Sequence, residues 1–328
     1  MTILITGASG FVGSFLASKF LKKKNKVIMI SRNKKFSIEN KIIRQVDINN
    51  FKKLESLFKQ GIDYVIHCAS LNEKLTNKYK NLAYTTAIKG TKNLLKLSLK
   101  YKVKKFFFFS VLQVYGKEIF GTIKSKNKIN IQNDYANSHF LAEELIKKYN
   151  KKFNLNVNIL RLAYSFSSPI NNNIKRPDLI PINFCIDAIK KSKINLNSNG
   201  ASSRDFIHLN DVFLKINQII KDKKEQNIYY NFSSGKTLKI IEIAKLVQNE
   251  ATKILKKKIN LCVNKKNKVK ENKFTVPSDV YTKKISKKNI ENKLRIEIKK
   301  IILGIELNEN FNYRFKWIFR FYFKKRIK

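Results

Sequence analysis

The sequence predicts a doubly wound α/β fold on a parallel sheet, joined to a smaller C-terminal lobe. Three observations carry this. Apolar strand-like segments alternate with helical periodicity through the first half of the chain. The run Lys105–Ser110 holds four consecutive phenylalanines, as suits a central strand buried on both faces. A glycine-rich bend lies directly between the first strand segment and the first helical one.

The elements follow in order. Thr2–Thr6 is a short β-branched and apolar run ending at Gly7, and from Phe11 to Leu21 the apolar residues recur at helical spacing. Lys26–Ile30, Ile42–Val46 and Tyr64–Cys68 read as the second to fourth strands, and Lys105–Ser110 as the fifth. A helix is expected from about Tyr135 to Tyr149, then a sixth strand at Val157–Leu162. Beyond it the periodicity turns irregular. The expected division is a dinucleotide-binding domain over 1–165, a substrate lobe over 166–310 whose chain partly returns to the sheet, and a basic aromatic tail over 311–328. The lysine-rich stretch Lys265–Lys273 reads as a solvated loop.

Composition removes several classes. The chain has 328 residues, 69 Lys+Arg against 23 Asp+Glu, a net charge of +46 and 43% hydrophobic residues, enough apolar content for a full core. Cys68, Cys185 and Cys262 are odd in number and far apart, so neither a disulfide framework nor a zinc site is expected. That usage, with a chain opening on an apolar strand and no leader pattern, leads to the expectation of a cytoplasmic protein. No uncharged apolar run reaches the ~18 residues of a spanning helix. The charge raises nucleic-acid binding as a reading. Only nine of the 69 basic residues are Arg, however, and the lysines crowd the whole sequence, so specific nucleic-acid recognition is not expected.

Gly7, Gly10 and Gly13 fall three apart between strand and helix, which lets backbone approach a pyrophosphate at a helix N-terminus. The dinucleotide contacts expected there are Gly7, Ser9, Gly10, Phe11, Val12 and Gly13. After the second strand stands Ser31-Arg32-Asn33, followed by Lys34 and Lys35, where NAD binders usually place a carboxylate. A cation there suits a 2′-phosphate, so the cofactor is read as NAD(P) with NADP favoured. Asp47, with Ile48, closes the third strand, positioned either to accept from the adenine amino group or to cap the next helix. His67 reads as a packed imidazole beside the cofactor, since no second His stands at ligand spacing.

With these residues in hand, the chain resembles the extended short-chain dehydrogenase/reductase family of nucleotide-sugar epimerases, dehydratases and reductases. The matching stretches are TGASGFVG at 6–13, VDI at 46–48, DYVIHCAS at 63–70, KGTKNLL at 89–95, SVLQVYG at 110–116, YANSHFLAEE at 135–144, LRLA at 160–163, RDFIHLNDV at 204–212 and YNFSSGKTLKIIEIA at 230–244. Their order and spacing agree over about residues 1–245. The resemblance implies a Rossmann domain, contacts from Ala69, Tyr135 and His139 to the cofactor, Tyr135 as proton donor and acceptor, Arg204 on the substrate diphosphate, and a homodimer through helices near Ala87–Leu99 and Tyr135–Tyr149. Arg204 could instead pair with Asp205 or Asp211, and Asp211 is read as capping or bracing the helix from Val212.

The chain departs from the family pattern in several places. The lysine expected four residues after Tyr135 is His139, read either as a weaker, pH-sensitive helper or as filler in a site that has lost selection. The hydroxyl position is Val111. The neighbouring Ser110 could replace it only through a local twist, because strand neighbours face opposite ways. Ala87 stands where Asn is usual, and Tyr164-Ser165-Phe166-Ser167 where Asn-Val-Tyr-Gly is expected. Leu112-Gln113 replace the acidic pair of the dehydratases, which disfavours 4,6-dehydration. The expected activity is therefore hydride transfer at a sugar ring carbon, as in epimerisation or keto reduction. The alternative is a catalytically impaired homologue with a binding or regulatory role. No metal is expected. The tail from Phe311 interleaves aromatic and basic residues, fits strand or helix, and either packs on the second lobe or touches an anionic membrane surface.

Overall fold

The computed structural model describes residues 1–32, 36–171, 173–174, 176–222, 228–280 and 285–309. Lys34, Lys35 and the aromatic tail lie outside them. Two compact units emerge. The first comprises Met1–Lys175, Ser202–Leu238 and Glu271–Ile290; the second comprises Arg176–Ala201, Lys239–Lys270 and the chain from Glu291.

The first unit is built on seven parallel strands: β1 (Thr2–Thr6), β2 (Lys26–Ser31), β3 (Arg44–Gln45), β4 (Tyr64–His67), β5 (Lys105–Val111), β6 (Val157–Leu162) and β7 (Tyr229–Phe232). Their spatial order is 7-6-5-4-1-2-3, which reverses direction beside β1. That reversal creates the crevice at the carboxyl ends where such folds bind ligands. The longer helices of the two units are α1 (Phe11–Lys22), α2 (Phe51–Phe58), α3 (Thr91–Lys100), α4 (Asp134–Phe153), α5 (Ile180–Lys191), α6 (Leu209–Lys221), α7 (Ile240–Leu255) and α8 (Lys287–Glu309).

Phe106 to Phe109 of β5 are all buried, as expected of a strand covered on both faces. Burying each such ring stabilises the fold by about 1.5–3 kcal/mol. Leu4, Ile28, Val65, Phe106 and Phe108 pack in one core with Leu54 and Phe58 of α2, Leu94 and Leu97 of α3, and Ala142 and Ile146 of α4.

The third strand is shorter than expected. Glu39 and Asn40 both adopt positive φ and turn Lys41–Ile42 back onto Ser37–Ile38 as an antiparallel hairpin, leaving Ile42 71% exposed. Only Arg44–Gln45 joins the sheet. Ser202–Leu238 folds with the first unit and supplies β7.

In the second unit α5 and α7 accompany a parallel pair, Lys193–Leu196 with Asn260–Val263. Glu250 on α7 bonds Arg295 on α8 at 2.9 Å. Among the described residues no helix is long and apolar enough to cross a membrane, no group of His, Cys, Asp and Glu could hold a metal ion, and the three cysteines are free.

Candidate active site

A cleft of about 270 Å³ opens at the carboxyl ends of β1 to β4, lined by Gly7, Ser9, Gly10, Ser31, Arg32, Asp47, Ile48, Ala69 and neighbours. Its floor demands glycine. Gly7 holds φ +64°, and a Cβ there would stand 2.7 Å from the Cys68 carbonyl oxygen; a Cβ on Gly13 would stand 2.4 Å from the Gly7 oxygen. Gly10 is the N-cap of α1 and brings no capping side chain, while the first turn carries no acid. The amide groups of Phe11, Val12 and Gly13 therefore begin the helix without an internal partner, at its positive end. Phe11 itself is buried, so this turn would serve a phosphate through its backbone.

At the tip of β2, Ser9 and Ser31 hydroxyls meet at 2.6 Å. Arg32 lines the cleft beside them and forms no ion pair among the described residues. Asp47 does not cap α2: that position is Asn50, which accepts from the Lys53 amide at 3.0 Å. Asp47 instead accepts from the Asn49 amide at 2.8 Å, closing a tight turn at the cleft wall. Bare helix N-terminus, glycine floor and cation at the strand tip together fit the pyrophosphate and adenosine half of a dinucleotide.

His67 is structural. Its Nδ1 contacts the Thr6 hydroxyl at 2.8 Å and its Nε2 the Thr91 hydroxyl at 3.0 Å. Burial pushes its pKa down to about 3, with His139 adding to the effect. Thr6 in turn accepts from the Ala69 amide at 3.2 Å, which ties the cleft wall to β1.

Tyr135 and His139 lie on α4, outside the residues that line the cleft. Asn133 caps that helix on the Ala136 amide at 2.7 Å. Asp134 accepts from the Tyr84 hydroxyl at 2.8 Å and pairs with Lys80 at 3.0 Å. The start of α4 is thus clamped, and half-buried Tyr135 sits in its first turn. Its ring meets His139 edge-on at 4.9 Å, and His139 lies against Phe108 at 5.9 Å.

His139 is 3% exposed, and neither ring nitrogen has a hydrogen-bond partner among the described residues. Burial pushes its pKa down to about 4, outweighing an upward pull from the nearby Phe109 backbone. Apolar walls disfavour the imidazolium, so His139 is neutral near pH 7.

The Ser110 hydroxyl is turned into the protein. No twist occurs; β5 continues regularly to Val111, and the Ser110 hydroxyl is committed to Glu143 inside the protein. Glu143 also holds Arg161 through a buried two-pronged pair, closest at 2.6 Å. Arg161 donates to the Tyr115 hydroxyl at 2.8 Å, which donates to Asn231 at 2.8 Å. Removing one member would leave a buried charge unpaired, a loss of about 3–5 kcal/mol. Sequence reasoning missed this network, although an arginine inside the apolar run Val157–Leu162 was a signal that a buried partner was needed.

Arg204 lies on the strand Ser203–His208, donates to the Ser202 hydroxyl at 2.5 Å and the Ser203 carbonyl at 2.8 Å, and stacks on Tyr164 at 5.4 Å. It forms no ion pair among the described residues, so neither Asp205 nor Asp211 holds it. Asp205 is buried and accepts from the Ser234 and Gly235 amides; burial raises its pKa to about 7. The cap of α6 is His208, with Asp211 in the first turn. Ser70, Leu71, Leu75 and Thr86 also line the cleft and were not foreseen.

This chain is similar to several known proteins. A dTDP-D-glucose 4,6-dehydratase from Dictyostelium discoideum is 28% identical over 272 residues, covering 75% of this chain; the match spans 61% of that relative, under two thirds of its length. A UDP-glucose 4-epimerase from Halalkalibacterium halodurans is 24% identical over 264 residues, 74% of this chain and 78% of that one. Among solved structures, a UDP-glucose 4-epimerase from Bifidobacterium longum in complex with NAD+ and UDP shares the fold with a TM-score of 0.78 at 19% identity, covering 94% of this chain and 99% of that one. The model of the NAD dependent epimerase/dehydratase family matches residues 3–232, a span that runs from β1 through the glycine floor and α4 to the end of β7. A match over more than half of the sequence establishes that this chain belongs to the NAD-dependent epimerase/dehydratase family.

Proposed function

We propose that this protein is an NAD(P)-dependent oxidoreductase acting on a nucleotide-activated sugar, by 4-epimerisation or keto reduction. The observation that carries the reading is the glycine floor beneath an uncapped helix N-terminus, which leaves backbone donors for a pyrophosphate. Bound there, the nicotinamide would accept and return a hydride at a sugar carbon. Tyr135 moves the proton on the sugar oxygen, and the positive end of α4 favours its phenolate. His139 offers a neutral donor in place of an ammonium. Arg204, with an unpaired guanidinium, takes the sugar-nucleotide diphosphate. Neutral Leu112-Gln113 support this chemistry over dehydration, and Arg32 at the strand tip supports NADP. The reading includes a cytoplasmic homodimer, for which exposed Ile88 in the turn before α3 is the support, with the second unit serving as sugar lobe.

A second reading rests on a specific observation. With Val111 apolar, the Ser110 hydroxyl held by Glu143 and His139 neutral, the residues around Tyr135 supply neither the usual hydroxyl nor a cation. On that reading the protein binds its nucleotides and does not turn them over.

One set of measurements separates them: NADH and NADPH titration with turnover of UDP-sugars, on the wild type, Tyr135→Phe, Arg32→Ser and the double variant Val111→Thr, His139→Lys. The enzyme reading expects Tyr135→Phe to lose roughly 100-fold or more in turnover with cofactor affinity kept. NADPH should bind more tightly than NADH, and Arg32→Ser should erase the difference. A silent wild type that binds cofactor, with activity gained in the double variant, establishes the second reading instead.

A further inference from the structure

In a parallel sheet every helix-to-strand connection lies at the amino edge, opposite the crevice. Here that edge is basic. Lys23 and Lys24 lead into β2, Lys59 into β4 and Lys102 into β5, while Lys151 and Lys152 end α4 before β6. All six are exposed and form no ion pair among the described residues. Three acids nearby are each already held by another lysine: Glu39 by Lys22 at 3.1 Å, Glu55 by Lys100 at 2.5 Å and Asp63 by Lys104 at 2.8 Å. Asp222, before β7, is the fourth acid described at this edge. At the cleft, Arg32 follows β2, while the connections after β1, β3 and β4, residues 7–10, 46–50 and 68–72, contain neither lysine nor arginine.

Helix C-termini favour cations, which accounts for Lys151 and Lys152. It does not account for Lys24 and Lys102, which adopt φ +59° and +50° just past their helices, a conformation that favours glycine. At the end of α4, Phe153 is 47% exposed, with the Lys152 ammonium 5.3 Å from its ring centre.

We infer that the amino edge of the sheet docks on an anionic lipid surface, with Phe153 at headgroup depth and the dinucleotide cleft facing away into solvent. Lysines spread over four connections suit a diffuse plane of negative charge, and an exposed ring beside them enters an interface. Nucleic-acid reading would call for arginine forks gathered along a groove. The inference stands independently of the proposed catalysis.

The test is flotation of the full-length chain with vesicles of phosphatidylcholine alone or with added phosphatidylserine. Binding is expected only with phosphatidylserine and should weaken as salt rises. Each lysine near such a surface is worth about fivefold in partitioning, so Lys102→Glu, Lys151→Glu, Lys152→Glu together should reduce it about 100-fold or more. Phe153→Ser should lower it severalfold. A control triple in an exposed loop of the second unit, Lys265→Glu, Lys266→Glu, Lys268→Glu, has the same net charge and should lower it less than about fivefold. Should the triple fail to fold, the single variants Lys102→Gln and Lys152→Gln are read instead, at about fivefold each. Equal losses in both triples, binding indifferent to phosphatidylserine, or tighter binding to duplex DNA that the edge triple abolishes would each overturn the inference.

Discussion

His139 illustrates how one residue's chemistry depends on where the fold puts it. The imidazole occupies a lysine's place on α4, and the walls that receive it are Phe108 and the ring of Tyr135. A pKa near 4 in the fold against 6.5 in the unfolded chain sets the sign of its effect on stability. Between those values the unfolded chain takes up a proton that the fold refuses. Stability is therefore fully present above pH 6.5 and declines as pH falls toward 4, by roughly 3 kcal/mol in all for this group. His67 adds a parallel loss, whereas Asp205, whose folded pKa is raised, acts in the opposite direction. Urea unfolding across that window isolates His139: the His139→Phe variant should lack its share of the decline, and a slope equal to wild type would mean that the imidazole takes up its proton inside the fold. The residue type at 139 was readable from sequence. Its neutrality was not, because the rings that exclude water from it come from β5 and from the preceding turn of its own helix. Ser110 carries the same lesson: its partner Glu143 is 33 residues away.

Among elements, the strand–glycine–helix unit at the start of the chain was legible almost residue for residue. Its requirements are local: a bend, a close backbone approach and a helix without a capping side chain. The reason Gly7 cannot change is partly remote, because the atom it would strike belongs to Cys68 at the end of β4. Gly61 offers a comparison, with φ +74° and nothing within 4 Å of an added Cβ. Gly61→Ala should cost about 1–2 kcal/mol from the left-handed conformation alone. Gly7→Ala should cost visibly more and abolish dinucleotide binding. Thermal melts and a cofactor titration of the two variants check this, and equal costs would mean that the loop relaxes around the new methyl group. The third strand was misread over most of its length for an equally physical reason. Ile42–Val46 has strand-like composition, but two residues with positive φ before it divert its first part into a hairpin.

For the whole molecule, a net charge of +46 opposes compaction through self-repulsion. Raising the salt from about 0.01 M to about 0.3 M shortens the screening length several-fold, so the melting temperature should rise by several degrees. A falling melting temperature would mean that ion pairs outweigh the repulsion. What the sequence by itself determined is the sheet class, the glycine cradle, the helix bearing Tyr135 and the family pattern, because these depend on periodicity and spacing within short windows. Tertiary structure alone decided that Ser110 serves a buried Arg161–Glu143 pair, that His139 is neutral, and that Arg32 faces the cleft unpaired. Burial and pairing are set by atoms that approach from distant parts of the chain, and no local pattern encodes them.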